Sequence, residues 1–87
     1  SHNRYYIRLD VKDEPGVLSK ISATTARFNV SIASVQQTQS TRQKAATLML
    51  TTHLTNEKAI RSAGAQLRRL SGVLGTPQVL RIASFED

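Results

Sequence analysis

An α+β sandwich, built in the order βαββαβ, is the fold class that this sequence of 87 residues predicts. Three observations predict it. Ile7, Leu9 and Val11 alternate with polar residues, and the helical spacing of Val17, Leu18, Ile21 and Phe28 follows directly after Asp13-Glu14-Pro15-Gly16. Two further apolar segments are joined by the polar stretch Gln39-Ser40-Thr41-Arg42-Gln43. Ile60, Ala63, Leu67 and Leu70 then recur at intervals of 3, 4 and 3, before a last apolar segment around Val79, Leu80 and Ile82.

The elements follow in order. Residues 4–12 form the first strand, since a period of two puts Ile7, Leu9 and Val11 on one face. Residues 15–28 form the first helix. Pro15 suits its first turn, where a missing N–H has no partner to lose. Asn29 ends the helix, because Asn tolerates the left-handed conformation. Residues 30–37 form the second strand. Val30 and Ile32 lie in one phase, but Ala33 and Val35 lie in the other, which predicts a bulge or a strand buried on both sides. Residues 39–43 are a hairpin turn, and residues 45–53 the third strand. Thr55 caps the second helix, with Glu57 in its first turn, and Gly72 ends it. Gly72-Val73-Leu74-Gly75 reads as a loop, and residues 77–83 as the last strand.

Two right-handed β-α-β units in this order give a four-stranded antiparallel sheet with both helices on one face. This is the ferredoxin-like plan. Its first and third strands are central, and its second and fourth are edges. An edge as apolar as Val30 to Val35 is a liability when bare. Pairing it with the same strand of a second copy covers it, so a homodimer with a continuous eight-stranded sheet is expected.

Size and composition limit the rest. One small domain fits the length; Ser1 to Asn3 read as a lead-in left from a purification tag, residues 4–83 as the domain and residues 84–87 as a tail. Such a domain buries roughly 60–65% of its unfolded surface, enough for one core. With no cysteine, neither a disulfide framework nor a Cys-based zinc site is available, which suits the cytoplasm. No apolar run approaches the ~20 residues that span a bilayer, and the start is unlike a signal peptide. A membrane partner is therefore not expected. The formal net charge is +6, but the basic residues are scattered, and only Arg68-Arg69 are adjacent. That distribution reads as a solvated surface rather than a nucleic-acid footprint.

The stretch from Asp13 to Leu18 is the candidate site. The first-turn N–H groups of a helix lack partners within it and carry the positive end of its dipole. They attract a small anion such as a carboxylate. Gly16 lets another backbone, a side chain or a ligand come close. Asp13 adds a carboxylate beside those donors, and a donor cluster next to a carboxylate suits a zwitterion. The plainer alternative is a well-capped helix start with no ligand.

Asp-x-Pro-Gly-Val-Leu after a strand, followed by Asn-Val-Ser-Ile after the helix, resembles an ACT domain. The resemblance covers residues 4 to about 82. It is similar in particular to the C-terminal regulatory domain of bacterial homoserine dehydrogenases. Tyr5-Tyr6-Ile7-Arg8, Ser31-Ile32-Ala33-Ser34-Val35-Gln36-Gln37, Leu50-Thr51-Thr52-His53 and Pro77-Gln78-Val79-Leu80-Arg81-Ile82 carry that similarity. Phe28-Asn29 departs from it, since a Gly often precedes the second strand there. The resemblance implies a module that binds an amino acid between two copies. Asp13, Glu14, Gly16, Val17 and Leu18 of one copy would face Asn29, Val30, Ser31 and Ile32 of the other. It further implies that Asp13 takes the ligand amine, that the N–H groups of Val17 and Leu18 hold its carboxylate, and that Ser31 offers a hydroxyl. L-Threonine is the effector it implies. The implied parent is an NAD(P)-dependent oxidoreductase whose cofactor and catalysis reside in sequence outside this fragment, so no cofactor is expected here.

Catalysis within the fragment has no support. There is no glycine-rich phosphate loop. His53 ends a strand with no second histidine near it for a metal pair. Asp10, Asp13 and Glu14 are close in sequence, but Asp10 lies along a strand. The competing function is RNA binding on the same fold, in which aromatics of the two central strands stack bases. Thr47-Leu48-Met49-Leu50-Thr51 has none, and Tyr5 and Tyr6 must point to opposite faces. A dimerisation domain without a ligand is a third reading.

Overall fold

Along the first strand, Tyr5, Ile7, Leu9 and Val11 are buried while Arg4, Tyr6 and Arg8 are exposed, and this alternation makes it the centre of the sheet. The computed structural model describes residues 2–83. The elements are β1 (His2–Lys12), α1 (Val17–Arg27), β2 (Ile32–Gln39), β3 (Ala45–Thr52), β4 (Thr55–Asn56), α2 (Glu57–Arg68) and β5 (Val73–Ile82). The sheet is antiparallel in the order β2-β3-β1-β5, with β3 and β1 central as expected. The two-residue β4 adds a fifth strand, pairing His2 and Asn3 beyond the end of the β3 ladder. His2 and Asn3, read as a tag-derived lead-in, thus take part in β1.

One core joins the layers. Ile7, Leu9, Val11, Leu48 and Leu50 of the central strands meet Val17 and Ile21 of α1 and Ile60, Ala63 and Leu67 of α2. Ile7 pairs with Leu50, and Leu9 with Leu48, so the largest side chains of the two strands stand side by side under the helices. The buried N–H of Tyr5 donates to Oγ1 of Thr52 at 3.1 Å, joining β1 to β3 where their ladder ends.

Three boundaries around α2 and β5 differ from expectation. The first is the cap of α2. Oδ1 of Asn56, not Thr55, accepts from the N–H of Ala59 at 2.7 Å. Thr55 is buried and paired with Asn3, which leaves its exposed neighbour to cap. The second is the end of α2, which closes at Arg68 rather than Gly72, in tighter bonds from Arg69 to Gln66 and from Leu70 to Leu67.

The third is the stretch read as a loop. Val73 and Leu74 already belong to β5, paired with Val11 and Asp10. Arg8 pairs with Gln78 and Asp10 with Leu74, so β5 bulges over Gly75, Thr76 and Pro77. Gly75 has φ +77°, a conformation that glycine adopts freely. Pro77 sits in the bulge, where no ladder N–H is needed.

The slip in β2 is a bulge. Ile32 pairs with Thr52 and Ser34 with Thr51, leaving Ala33 as the extra residue. Beyond it Val35 pairs with Leu50, so Ile32 and Val35 share one face despite their odd spacing. β2 starts at Ile32, because Val30 belongs to the end of α1 instead.

Candidate functional site

The turn after β1 is shaped by its backbone. Gly16 has φ +89° and stands at the N-cap of α1, so the helix starts at Val17. Pro15, expected in the first turn, precedes it in the turn itself, since a left-handed residue interrupts the helix between them. The N–H of Asp13 donates to the carbonyl of Lys44 at 3.0 Å, and that of Glu14 to Lys12 at 2.9 Å. The first of these bonds ties the turn to the residue before β3, and the second closes the turn on the end of β1.

No side chain caps α1, and no acidic residue stands in its first turn. The side-chain cap that the plainer alternative expected at this helix start is therefore not found. The carboxylate of Asp13 is exposed and caps nothing, and Glu14 is exposed beside it. The N–H groups of Val17 and Leu18 face outward from the helix end. Val17 sends its side chain into the core, so it can offer a ligand only its backbone, whereas Leu18 is 43% exposed.

The second set of candidates closes the other end of α1. Asn29 has φ +61°, and its N–H donates to the carbonyl of Ala26 at 2.9 Å. The N–H of Val30 donates to Thr25 at 2.9 Å, completing a Schellman motif. Asn29 is thus the helix end that its residue type predicts. Val30 is buried, Ser31 is exposed, and the carbonyl of Ser31 accepts from the N–H of His53 at 2.8 Å. Ile32 is half-buried against the core.

Within one chain these two sets do not meet. The 11 residues of α1 separate them, which at ~1.5 Å per residue is about 16 Å. The strand register shows where they could meet. Gln39 at the end of β2 pairs with Ala46, which pairs in turn with Val11 at the end of β1. The end of β2 is therefore level with the turn that holds Asp13. An antiparallel second copy of β2 laid on this edge brings its own start, with Ser31 and Ile32, to that same corner. At the corner is a polar cleft of about 530 Å³ lined by Asp13, Gln37, Gln39, Arg42 and Lys44.

The hairpin wall of this cleft was not among the expected site residues. No local motif marks it; only the strand order places it beside Asp13. Arg42 is held there by Asp10, whose carboxylate lies 3.8 Å from the guanidinium and accepts from Oγ1 of Thr47 at 2.6 Å. Asp10 thus has a structural partner on the sheet's open face. Among the described residues no group of three His, Cys, Asp or Glu side chains could hold a metal ion.

The ACT domain family matches residues 5–72. The chain is an ACT domain. Curated relatives of the ACT domain include the homoserine dehydrogenase of Helicobacter pylori, 41% identical over 78 residues, which are 90% of this chain and 18% of the relative. The homoserine dehydrogenase of Neisseria gonorrhoeae is 40% identical over 83 residues, covering 95% of this chain and 19% of the relative. The chain therefore spans about a fifth of the curated relatives it matches. Among solved structures, a homoserine dehydrogenase from Thiobacillus denitrificans superposes with a TM-score of 0.82 at 31% identity, over 93% of this chain and 17% of that one. The ACT domain from the GTP pyrophosphokinase of Chlorobium tepidum has a TM-score of 0.68 at 20% identity, covering 94% of this chain and all of that one. That second likeness concerns the fold alone.

Proposed function

We propose that this ACT domain senses an end-product amino acid, L-threonine, for a homoserine dehydrogenase, with two copies sharing each binding site. The observation that carries the reading is the exposed turn from Asp13 to Leu18. Asp13 borders the cleft at the end of β2, and the first turn of α1 that follows it carries no side-chain cap. The Asp13 carboxylate takes the ligand ammonium, which must be paired once it leaves water. The N–H groups of Val17 and Leu18 take the carboxylate. Ser31 of a second copy, beside Ile32 on the antiparallel edge, supplies a hydroxyl. The relatives' names support the parent enzyme, whose NAD(P)-binding and catalytic parts belong to the rest of its length. An oxidoreductase of amino-acid biosynthesis places the domain in the cytoplasm. Among the described residues no helix is long and apolar enough to cross a membrane.

A thermal-shift screen of the twenty amino acids tests the reading. At ~100 times its dissociation constant the effector adds about 2.7 kcal/mol of stability. Asp13→Ala should weaken binding by ~1.5–3 kcal/mol, the range for a hydrogen bond to a charged group. Because Asp13 caps nothing, the ligand-free midpoint should stay in place, and Glu14→Ala should change neither quantity. Equal shifts for Asp13→Ala and the unmodified chain would remove Asp13 from the site.

A further inference from the structure

A second groove lies on the other side of the molecule, between α2 and β5. It has a volume of about 640 Å³ and involves neither Asp13 nor β2. Its floor is apolar: Ile60, Gly64, Pro77 and Val79. Val79 is 38% exposed, an uncovered large apolar side chain. Gly64 lies in the middle, where a Cβ would come to 3.7 Å from Val79, so a longer side chain there would reach across the apolar floor.

The scattered basic residues converge here. Arg61, Arg68 and Arg81 all line the groove. Arg61 is paired with Glu57 one turn earlier. Among the described residues neither Arg68 nor Arg81 has an ion-pair partner. The short connection from α2 to β5 runs the strand back along the helix. Arg68 therefore stands at the end marked by Thr76 and Pro77, while Arg61 and Arg81 stand at the end marked by Asn3 and Tyr5. Seven helical positions separate Arg61 from Arg68, about 10 Å at ~1.5 Å per residue. Positive charge thus sits at both ends of an apolar middle.

A single phosphate or small carboxylate reaches only one end. An extended chain advances ~3.3 Å per residue and alternates its side chains, so acidic residues four positions apart point to the same side and span about 13 Å, a gap the long arginine side chains can close. The backbone adds a second reason. β5 pairs with β1 alone, which leaves its other edge, bordering the groove, free to accept a strand.

We propose that the α2–β5 groove docks an extended acidic peptide segment of a partner protein, with carboxylates at its ends meeting Arg68 and Arg81 and apolar side chains between them covering Val79. This surface is separate from the amino-acid site and does not depend on it.

Fluorescence anisotropy tests it on the whole chain. The probe is a short labelled peptide with glutamates at its first and fifth positions and a valine at its third, all on one side when extended, and its control carries glutamines instead. The acidic peptide should bind, the control should not, and binding should weaken as salt rises. Arg68→Gln with Arg81→Gln should weaken it by at least ~tenfold, since charged contacts set both pairing and register. Gly64→Leu should block it by filling the middle, with a melting transition showing that the variant is folded. Equal binding of the two peptides, or no effect of the arginine pair, would overturn the proposal. So would pyrophosphate binding where the acidic peptide fails, which would make the groove a small-anion site. A gain of more than ~tenfold on removing residues 84–87 would also overturn it, by making the chain's own acidic tail the occupant.

Discussion

Gly72→Ala is the sharpest test of how the proposed amino-acid site is built. The methyl group would stand 2.8 Å from Cγ2 and 3.1 Å from Cγ1 of Val17, closer than side chains approach. Neither partner has room to give. The carbonyl of Gly72 accepts from the N–H of Lys12 at 2.8 Å, fixing its backbone to β1. Val17 is 7% exposed, and a β-branched side chain in a helix has one favoured rotamer. Overpacking of this kind costs ~1–3 kcal/mol. A cost of ~2 kcal/mol would lower the midpoint by roughly 8–16 °C in a domain of this size. The opposing effect has the opposite sign: where Ala fits, losing a Gly stabilises by ~0.4–1 kcal/mol through the unfolded chain. Val17→Ala removes two methyl groups and should cost ~1.5 kcal/mol by itself. If the clash is real, adding it to Gly72→Ala restores room, and the double variant is less damaged than the sum by at least ~1 kcal/mol. Val17 starts α1, and in the proposed site its N–H meets the ligand carboxylate, so Gly72→Ala should also weaken effector binding there. A midpoint that stays or rises, with additive single changes, would show that Gly72 does not set the position of Val17.

Val35→Lys puts a charge on the β2 edge, where Val35 is 41% exposed, and light scattering should show the mass of the expected dimer falling to one chain; a monomer for the unmodified chain at every accessible concentration would remove the shared site. Asn29 has φ +61°, so Asn29→Ala should cost about 1 kcal/mol in urea unfolding, while Asn29→Gly should leave stability within ~0.5 kcal/mol. An effector shift that survives Asn29→Gly makes Asn29 a helix end only. Thr52→Val leaves the buried N–H of Tyr5 without its acceptor, and should lower stability by ~1–3 kcal/mol with an unchanged urea slope.

Elements whose partners lie nearby in sequence were legible. The alternation along β1 and the stripe on α2 each follow from one face meeting one core. The phase slip between Ile32 and Val35 predicted a bulge or a strand buried on both sides, and the pairing of Ile32 with Thr52 and of Ser34 with Thr51 decides for a bulge at Ala33. The start of β5 was hidden for the opposite reason. Gly72-Val73-Leu74-Gly75 has no local strand pattern, and Val73 is placed by pairing with Val11, far away in the chain. Thr55 and Asn56 are both good caps, and the choice between them came from β4, whose partner Asn3 had been set aside as lead-in.

The candidate site divides along the same line. Gly16 marks the turn within the sequence, since its φ of +89° suits glycine, and the neighbouring Asp13 is exposed there. The cleft wall at Arg42 and Lys44 follows only from strand order. The other half of the proposed site cannot come from the same chain, because α1 keeps residues 29–32 about 16 Å from the turn at ~1.5 Å per residue. An effector held by both halves therefore binds the pair more tightly than the single chain. By linkage it must tighten the pair by the same factor. The bare edge of β2 is then more than a hazard to be covered: its affinity for a second copy is the quantity through which an amino acid could be sensed.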